Sequence, residues 1–317
     1  MLLSVIIPVY NSEKTISKLV EHVLETLKEQ TIEIILVNDG SRDRSEKVCT
    51  ELTQRFSQVH FISLRRNSGE FNAVMCGLNH AAGDYCVMID DDFQNPPTEI
   101  LKLIETAEAD DLDVVYSYYE KKEHSLFRNF GSWLVNRITT WLLEKPGDLY
   151  LSSFKLIRLP VVREIIKYKG PYPYLDGLIF RVTRNVGRVQ VSHNAREDGE
   201  SGYTLRKLTS LFMTIIFGYS LKPLRLITAT GLLFTSLSVL AVLIDFILYF
   251  IHSRFFVLNS ILSVITFFSG LLLTGLGMVG EYVGRIFMTQ SGLPQYVEKA
   301  TYRPLRENSI PPMGGRS

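Results

Sequence analysis

The densest chemistry in the 317-residue chain is Asp90-Asp91-Asp92, followed by Phe93-Gln94-Asn95-Pro96-Pro97. Three adjacent carboxylates repel one another, and the usual relief is Mg²⁺ or Mn²⁺ held by hard oxygen ligands with phosphate as co-ligand. Alone, such a cluster can equally be a solvated acidic turn; its place after a buried strand favours the cation. Three more polar clusters each stand just after an apolar run: Tyr10-Asn11, Asn38-Asp39-Gly40-Ser41 and Arg65-Arg66-Asn67-Ser68-Gly69. In residues 126–143, Arg128, Ser132 and Asn136 recur at i, i+4 and i+8, lining one helix face able to grip a phosphate. Asp148, in Pro146-Gly147-Asp148-Leu149, is a candidate base, set against the plain reading of a turn Asp after glycine. Neither GxGxxG nor GxxxxGK[ST] follows the first apolar run, which argues against a dinucleotide-binding enzyme and a P-loop NTPase.

These clusters need strands to carry them. Strand-like runs at 3–9, 32–37, 59–64, 85–89 and 114–117 alternate with helix-like stretches. The first stretch is expected to be capped by Ser12 and to bury Ile16, Leu19, Val20, Val23, Leu24 and Leu27; the others are 45–56, 70–82 and 97–107. Such βαβ punctuation predicts an α/β fold with a mostly parallel sheet and helices on both faces. Ligands of such sheets bind beyond the carboxyl ends of the strands, where all four polar clusters fall.

At 46% hydrophobic and 21% charged residues, with mean hydropathy +0.11, the chain is too apolar for an ordinary soluble enzyme. The excess lies in 226–251, whose one charge is Asp245, and in 257–280. Each is long enough to span a bilayer, about 20 residues sufficing, and 252–256 suits a tight hairpin. Residues 205–225 read as an interfacial helix along the headgroups. Lys and Arg flank the pair on its outer ends, while Arg254 stands alone in the hairpin, so both termini are expected in the cytoplasm. The N-terminus has no basic region and its apolar run meets Pro8, unlike a secretory signal. A net charge of +1 gives no basic field for nucleic acid. Three dispersed cysteines, Cys49, Cys76 and Cys86, offer neither a disulfide framework nor a zinc motif.

With these residues in hand, the chain resembles the family 2, GT-A-fold glycosyltransferases. More narrowly it resembles the polyprenyl-phosphate subgroup, which includes dolichol-phosphate mannose synthases and undecaprenyl-phosphate glucose and aminoarabinose transferases. The run from Ser4 through Pro8, Val9, Tyr10 and Asn11 is similar to the family's first strand and nucleotide turn. Val37-Asn38-Asp39-Gly40-Ser41-Arg42-Asp43 is similar to VDDGSxD, with Asn38 replacing the first Asp; by this likeness Asp39 contacts the base. Arg66-Asn67-Ser68-Gly69 resembles the RNxG segment beside the nucleotide. Asp90 through Pro97 resembles DADLQ[NH]PP with Asp91 in place of Ala, which implies that Asp90, Asp92 and Gln94 hold the metal and the sugar diphosphate, with Asp90 and Asp91 among the nucleotide-binding residues. The subgroup's Arg-xxx-Ser pair corresponds to Arg128 and Ser132. Its further upstream Arg is missing; Tyr119 stands there, with Lys121 or Lys122 as substitutes. Arg196 through Tyr203 resembles RxxGxSKY/F, with Gly202 in place of Lys and Arg196 available for an acceptor phosphate.

The resemblance implies inverting, metal-dependent transfer of a sugar from a nucleotide-diphosphate donor, UDP before GDP, to a membrane polyprenyl phosphate such as undecaprenyl phosphate, for glycan or cell-envelope modification. The expected organisation is a catalytic domain over 1–204, the juxtamembrane helix, two spans and a cytoplasmic tail over 281–317, in the inner membrane. Small residues Gly270, Gly275, Gly277 and Gly280 suit helix packing in a homo-oligomer, a dimer or tetramer. A processive polysaccharide synthase is disfavoured by the lack of QxxRW. A non-catalytic scaffold or flippase-like accessory is disfavoured by joint retention of Asp39, Asp90, Asp92 and Gln94.

Overall fold

The computed structural model describes residues 1–119, 145–171, 173–192, 257–292 and 294–303, with Arg137, Thr139, Thr140, Leu142, Leu143, Asn194, Ala229, Thr230 and Leu233 between them. Two compact units result, one of Met1–Gly202 with Pro294–Ser317, the other of Tyr203–Leu293.

The first unit is built on one eight-stranded sheet. In chain order its elements are β1 (Leu2–Val9), α1 (Ile16–Thr26), β2 (Thr31–Asn38), α2 (Ser45–Arg55), β3 (Val59–Leu64), α3 (Glu70–His80), β4 (Tyr85–Met88), α4 (Glu99–Ala109) and β5 (Val114–Tyr118), then β6 (Lys155–Arg158), α5 (Leu159–Ile165), α6 (Leu175–Val182), β7 (Val186–Gln190) and β8 (Glu298–Tyr302). The spatial order is β7-β5-β6-β4-β1-β2-β3-β8. The β3-β2-β1-β4 half is parallel throughout, as is β5 with β7; β6 runs antiparallel to both neighbours and β8 antiparallel to β3.

Successive side chains of β1 bury on opposite faces of the sheet. Leu3, Val5, Ile7 and Val9 join Ile16, Leu19, Val20 and Val23 of α1, Cys49 and Leu52 of α2 and Ile100 of α4 in one core. On the other face Ile35, Val37 and Ile62 pack with Ala73 and Cys76 of α3. Each fully buried aliphatic of this kind contributes roughly 1.5–3 kcal/mol. Gly77 lets α3 lie close, because a Cβ there would meet the Ile6 side chain at 2.5 Å.

From β1 the chain builds β2 and β3 to one side, then crosses back to lay β4 on the other. The switch point of the sheet, where such folds bind ligands, therefore lies between β1 and β4. Pro8 helps to open it. The Ile6 carbonyl faces β4, accepting the Ile89 N–H at 3.1 Å, and the Val9 carbonyl faces β2, accepting Asp39 N–H at 2.9 Å. Alternation turns the Pro8 nitrogen toward β4, beyond the last β1–β4 partners, Ile6 and Met88. A proline, which has no N–H to give, costs no ladder bond there.

Ser12 does not cap α1. Residues 13–15 form a turn, the helix begins at Ile16 with Thr15 at its cap position, and the Ser12 hydroxyl is engaged elsewhere. In the second unit, α7 (Val257–Gln290) contains the expected 257–280 stretch and continues through 290. Its Phe267–Gln290 part is long and apolar enough to cross a membrane, and none of it is buried. Leu272, Leu276 and Phe287 are each over two-thirds exposed. Glu281 pairs with Arg285 one turn on, at 3.0 Å. The 205–225 stretch lies outside the described residues, and of 226–251 only Ala229, Thr230 and Leu233 are described.

Candidate active site

The four polar clusters form one hydrogen-bonded rim along the carboxyl edge of β1 to β4. Asp39, 3% exposed, receives the Ser68 N–H on Oδ1 at 2.6 Å and the Gly69 N–H on Oδ2 at 2.9 Å. Those are donors at the start of α3, where a helix favours negative charge. Burial outweighs these bonds and lifts the Asp39 carboxyl above its ordinary value. Gly40, at φ +65°, lies so near the next loop that a Cβ would stand 2.6 Å from Asn67 N; both the left-handed backbone and the close approach require glycine. Asn38 supports the turn from below, accepting the Ser41 N–H at 3.1 Å and donating to Ser63 Oγ at 3.3 Å. Asn11, also left-handed at φ 56°, donates its N–H to Ser41 Oγ at 3.0 Å and accepts the Arg42 N–H at 2.9 Å.

The acidic loop closes the rim. Asp90 accepts the Ser153 hydroxyl at 2.6 Å, and Asp92 accepts the Gln94 N–H at 3.1 Å in an Asx turn. Between them Phe93 sits at φ 59°, a conformation that costs a bulky residue energy and that clusters at functional sites. Asp91 turns toward β1: its Oδ2 accepts the Tyr10 N–H at 3.1 Å and the Ser12 hydroxyl. Burial, and secondarily the charges of Asp90 and Asp92, push its carboxyl up to about 6. Pro8 stands on β1, and Arg66 is exposed on the loop after β3.

Sequence reading missed several residues here. Glu70, directly after Gly69, is exposed, yet the protein packed around its carboxyl, followed by the Asp90 charge, pushes it up to about 7; Asp91 and Asp92 add to this and Lys155 opposes it. Lys155, at 2% exposure, pairs with Asp176, at 6%, which also accepts the Tyr116 hydroxyl at 3.0 Å. A polar residue inside the apolar Phe154-Lys155-Leu156-Ile157 run was the available signal. The crowding of Asp90, Asp91, Asp92 and Glu70 is a surplus of hard oxygen donors, with the Asp91 and Glu70 carboxyls raised, the setting a divalent cation fits.

Other expected residues lie apart or undescribed. Asp148 is exposed and ion-paired with Arg188 of β7 at 2.9 Å. Tyr119 donates its hydroxyl to Asn95 at 2.8 Å, bracing the loop after Gln94. Arg128, Ser132, Asn136, Lys121, Lys122 and Arg196 lie outside the described residues. Away from the rim, Cys76, His80 and Glu298 bring their ligand atoms within 4.8 Å of one another. Arg303, which can only donate, faces His80 Nδ1 at 3.4 Å. His80 Nε2 therefore carries the hydrogen and donates it to Glu298 at 2.9 Å, so the trio is a satisfied hydrogen-bond network joining α3 to β8.

Residues 4–162 match the profile described as "Glycosyl transferase family 2". An undecaprenyl-phosphate 4-deoxy-4-formamido-L-arabinose transferase of Edwardsiella ictaluri is 32% identical over 302 residues, covering 92% of this chain and 92% of its own length. An uncharacterized glycosyltransferase of Bacillus subtilis is 30% identical, covering 94% of each chain. Among solved structures, glucosyl-3-phosphoglycerate synthase of Mycobacterium tuberculosis in complex with Mn²⁺, UDP and phosphoglyceric acid superposes with a TM-score of 0.50 at 17% identity, over 67% of this chain and 75% of that one, a likeness of fold alone. Profile, full-length relatives and the parallel half-sheet with its acidic loop agree: the chain belongs to glycosyl transferase family 2 and is a glycosyltransferase of the GT-A fold.

Proposed function

We propose that the chain transfers a sugar from a nucleoside-diphosphate sugar, UDP before GDP, to the phosphate of a membrane polyprenyl phosphate such as undecaprenyl phosphate, with inversion at the sugar carbon. The observation that carries this reading is the continuous rim at the switch point. It sets the Asp39-braced loop pair beside Asp90 and Asp92, so a nucleotide and its diphosphate have adjoining seats. The acceptor comes from relatives spanning the whole chain whose names specify undecaprenyl phosphate, and the unburied apolar face of α7 supports attachment to a bilayer.

Asp90, Asp92 and Gln94 would hold Mg²⁺ or Mn²⁺, which when bound neutralises charge developing on the departing diphosphate. Ser153 orients Asp90 by its hydrogen bond, and the Asx turn at Asp92 fixes where Gln94 begins. The acceptor phosphate needs little help from a base. With a second pKa near 6 a phosphate monoester is mostly dianionic at neutral pH, so placing it in line, by Arg128 and Ser132 in this reading, is the main requirement. Asp148, tied to Arg188, would serve as a base only after releasing that pair.

The test is release of nucleoside diphosphate from a panel of UDP- and GDP-sugars by the detergent-solubilised chain, with and without undecaprenyl phosphate. Release that requires the lipid and a divalent cation, and that vanishes in Asp92→Asn while the protein stays folded, is expected. No release with any donor would instead favour a non-catalytic scaffold.

A further inference from the structure

We propose that Asp91 is a positioning residue, neither a metal ligand nor a nucleotide contact: its carboxylate fastens the turn of residues 10–12 to the loop after β4 and so fixes the width of the crevice at the switch point. The proposal rests on the donor-binding reading above.

Strands β1 and β4 stop pairing at Ile6 and Met88, and the last bond between them runs from Ile89 N–H to the Ile6 carbonyl. Pro8 has nothing to donate toward β4. The next N–H on that side belongs to Tyr10, past the point where β4 offers a carbonyl. Asp91 Oδ2 takes its place, accepting this N–H at 3.1 Å, and the same oxygen accepts the Ser12 hydroxyl. A carboxylate thus replaces a strand carbonyl across the split and keeps it from widening. The contact also explains why Ser12, suited by type to capping α1, leaves that place to Thr15.

The turn has a second, independent anchor on the β2 side, where Asn11 is bonded to Ser41 and Arg42. Loss of Asp91 therefore frees one side of the turn without detaching it. Tyr10, 45% exposed, then loses the bond that fixes its backbone on the β4 side. Alanine, the residue that the resemblance leads one to expect at this position, has no acceptor and cannot make either bond.

The experiment measures binding of UDP to the full-length chain in micelles at saturating and at graded Mn²⁺, alongside thermal unfolding. Asp91→Ala is expected to weaken UDP binding about tenfold, the effect of roughly one net bond to a charged acceptor, with the Mn²⁺ midpoint unmoved. Ser12→Ala is expected to weaken it about threefold, and Ser12→Ala/Asp91→Ala no further than Asp91→Ala, because both changes remove the same contact. Asp91→Asn, whose amide oxygen can accept both hydrogens, should bind within about threefold of the unaltered chain. In turnover, donor KM should rise in Asp91→Ala while kcat changes far less. Two results would overturn the proposal: UDP affinity in Asp91→Ala equal to that of the unaltered chain, or Asp91→Asn as weak as Asp91→Ala with a displaced Mn²⁺ midpoint, which would make Asp91 a metal ligand. Should the unaltered chain bind neither UDP nor GDP, the donor reading fails by itself. The tie is then judged by hydrogen exchange at Tyr10 N–H, expected to quicken in both Asp91→Ala and Ser12→Ala; no change in either would overturn it.

Discussion

Replacing Asp39 with Asn, a change of one atom type, should be far from conservative. Both carboxylate oxygens face backbone donors, Ser68 N–H at 2.6 Å and Gly69 N–H at 2.9 Å. Protonation leaves each oxygen a lone pair to accept with, so the raised carboxyl of Asp39 is compatible with both bonds. An amide presents one oxygen and one NH₂, and whichever way it flips, one N–H meets another donor. Losing one charge-assisted bond costs about 1.5–3 kcal/mol and stranding a partly buried donor about 1–3 more. Because Ser68 and Gly69 keep some access to water, the sum should fall near 2–4 kcal/mol, a large part of the roughly 5–15 kcal/mol that holds a domain. Asp39→Asn is therefore expected to shift the urea midpoint strongly at constant slope, and to weaken nucleotide binding as the loop after β3 loosens. A stability change below about 1 kcal/mol, which is smaller than the loss of one such bond, combined with lost nucleotide affinity, would refute this. It would mean that the carboxylate serves the nucleotide directly and not the loop.

Further outcomes follow from other charged groups of the fold. Lys155→Met should destabilise the fold by about 3–5 kcal/mol by leaving Asp176 buried without its partner, and Lys155→Met/Asp176→Leu should recover most of it; equal urea midpoints for the single and double variants would contradict a coupled pair. Glu70 has its folded carboxyl raised to about 7, so its penalty is absent below the unfolded value, grows as pH rises from there to the folded value, and is complete above it. Glu70→Gln should accordingly raise Tm at pH 8 and far less at pH 5, in the absence of divalent cations. For Glu298, burial alone would lift the carboxyl, but hydrogen bonds from His80 and Thr301 hold it below the ordinary value. Its contribution to docking β8 is present above that ordinary value and lost as pH falls through the lowered one, which protection factors of β8 amides, measured down an acid series, should register.

The parallel half of the sheet was legible because each crossover is local and each strand is buried on both faces, leaving unbroken apolar runs such as Val5-Ile6-Ile7 and Ile34-Ile35-Leu36. The expected strand at 59–64 coincides with β3, and the others differ by a residue or two. What escaped notice depends on distant pairing. β6 inserts antiparallel between β4 and β5, and β8 reads as polar tail, Glu-Lys-Ala-Thr-Tyr, because an edge strand needs little apolar surface. At the site, adjacency after strand ends foretold that the four clusters would meet. It could not foretell that Asp91 would bond to Tyr10 and Ser12 in the turn after β1, since sequence fixes no rotamer, nor that Glu70 would stand beside the acidic loop from the start of α3.

The last strand of the catalytic sheet comes after the apolar helix in the chain. Gln295 reaches the carbonyls of Tyr168 and Gly170, Tyr302 stacks on Phe61 with centroids 5.6 Å apart, and β8 covers the β3 edge. A water-soluble fragment made by ending the polypeptide ahead of α7 would shed that cover. The bare β3 edge would then be open to pair with another copy, and the loop that Asp39 grips would lose the Arg65 to Val297 bond behind it. A catalytic portion that keeps its sheet intact therefore has to be made by joining residue 294 onward to the front of the protein, with the part that carries the apolar helix α7 excised from the middle.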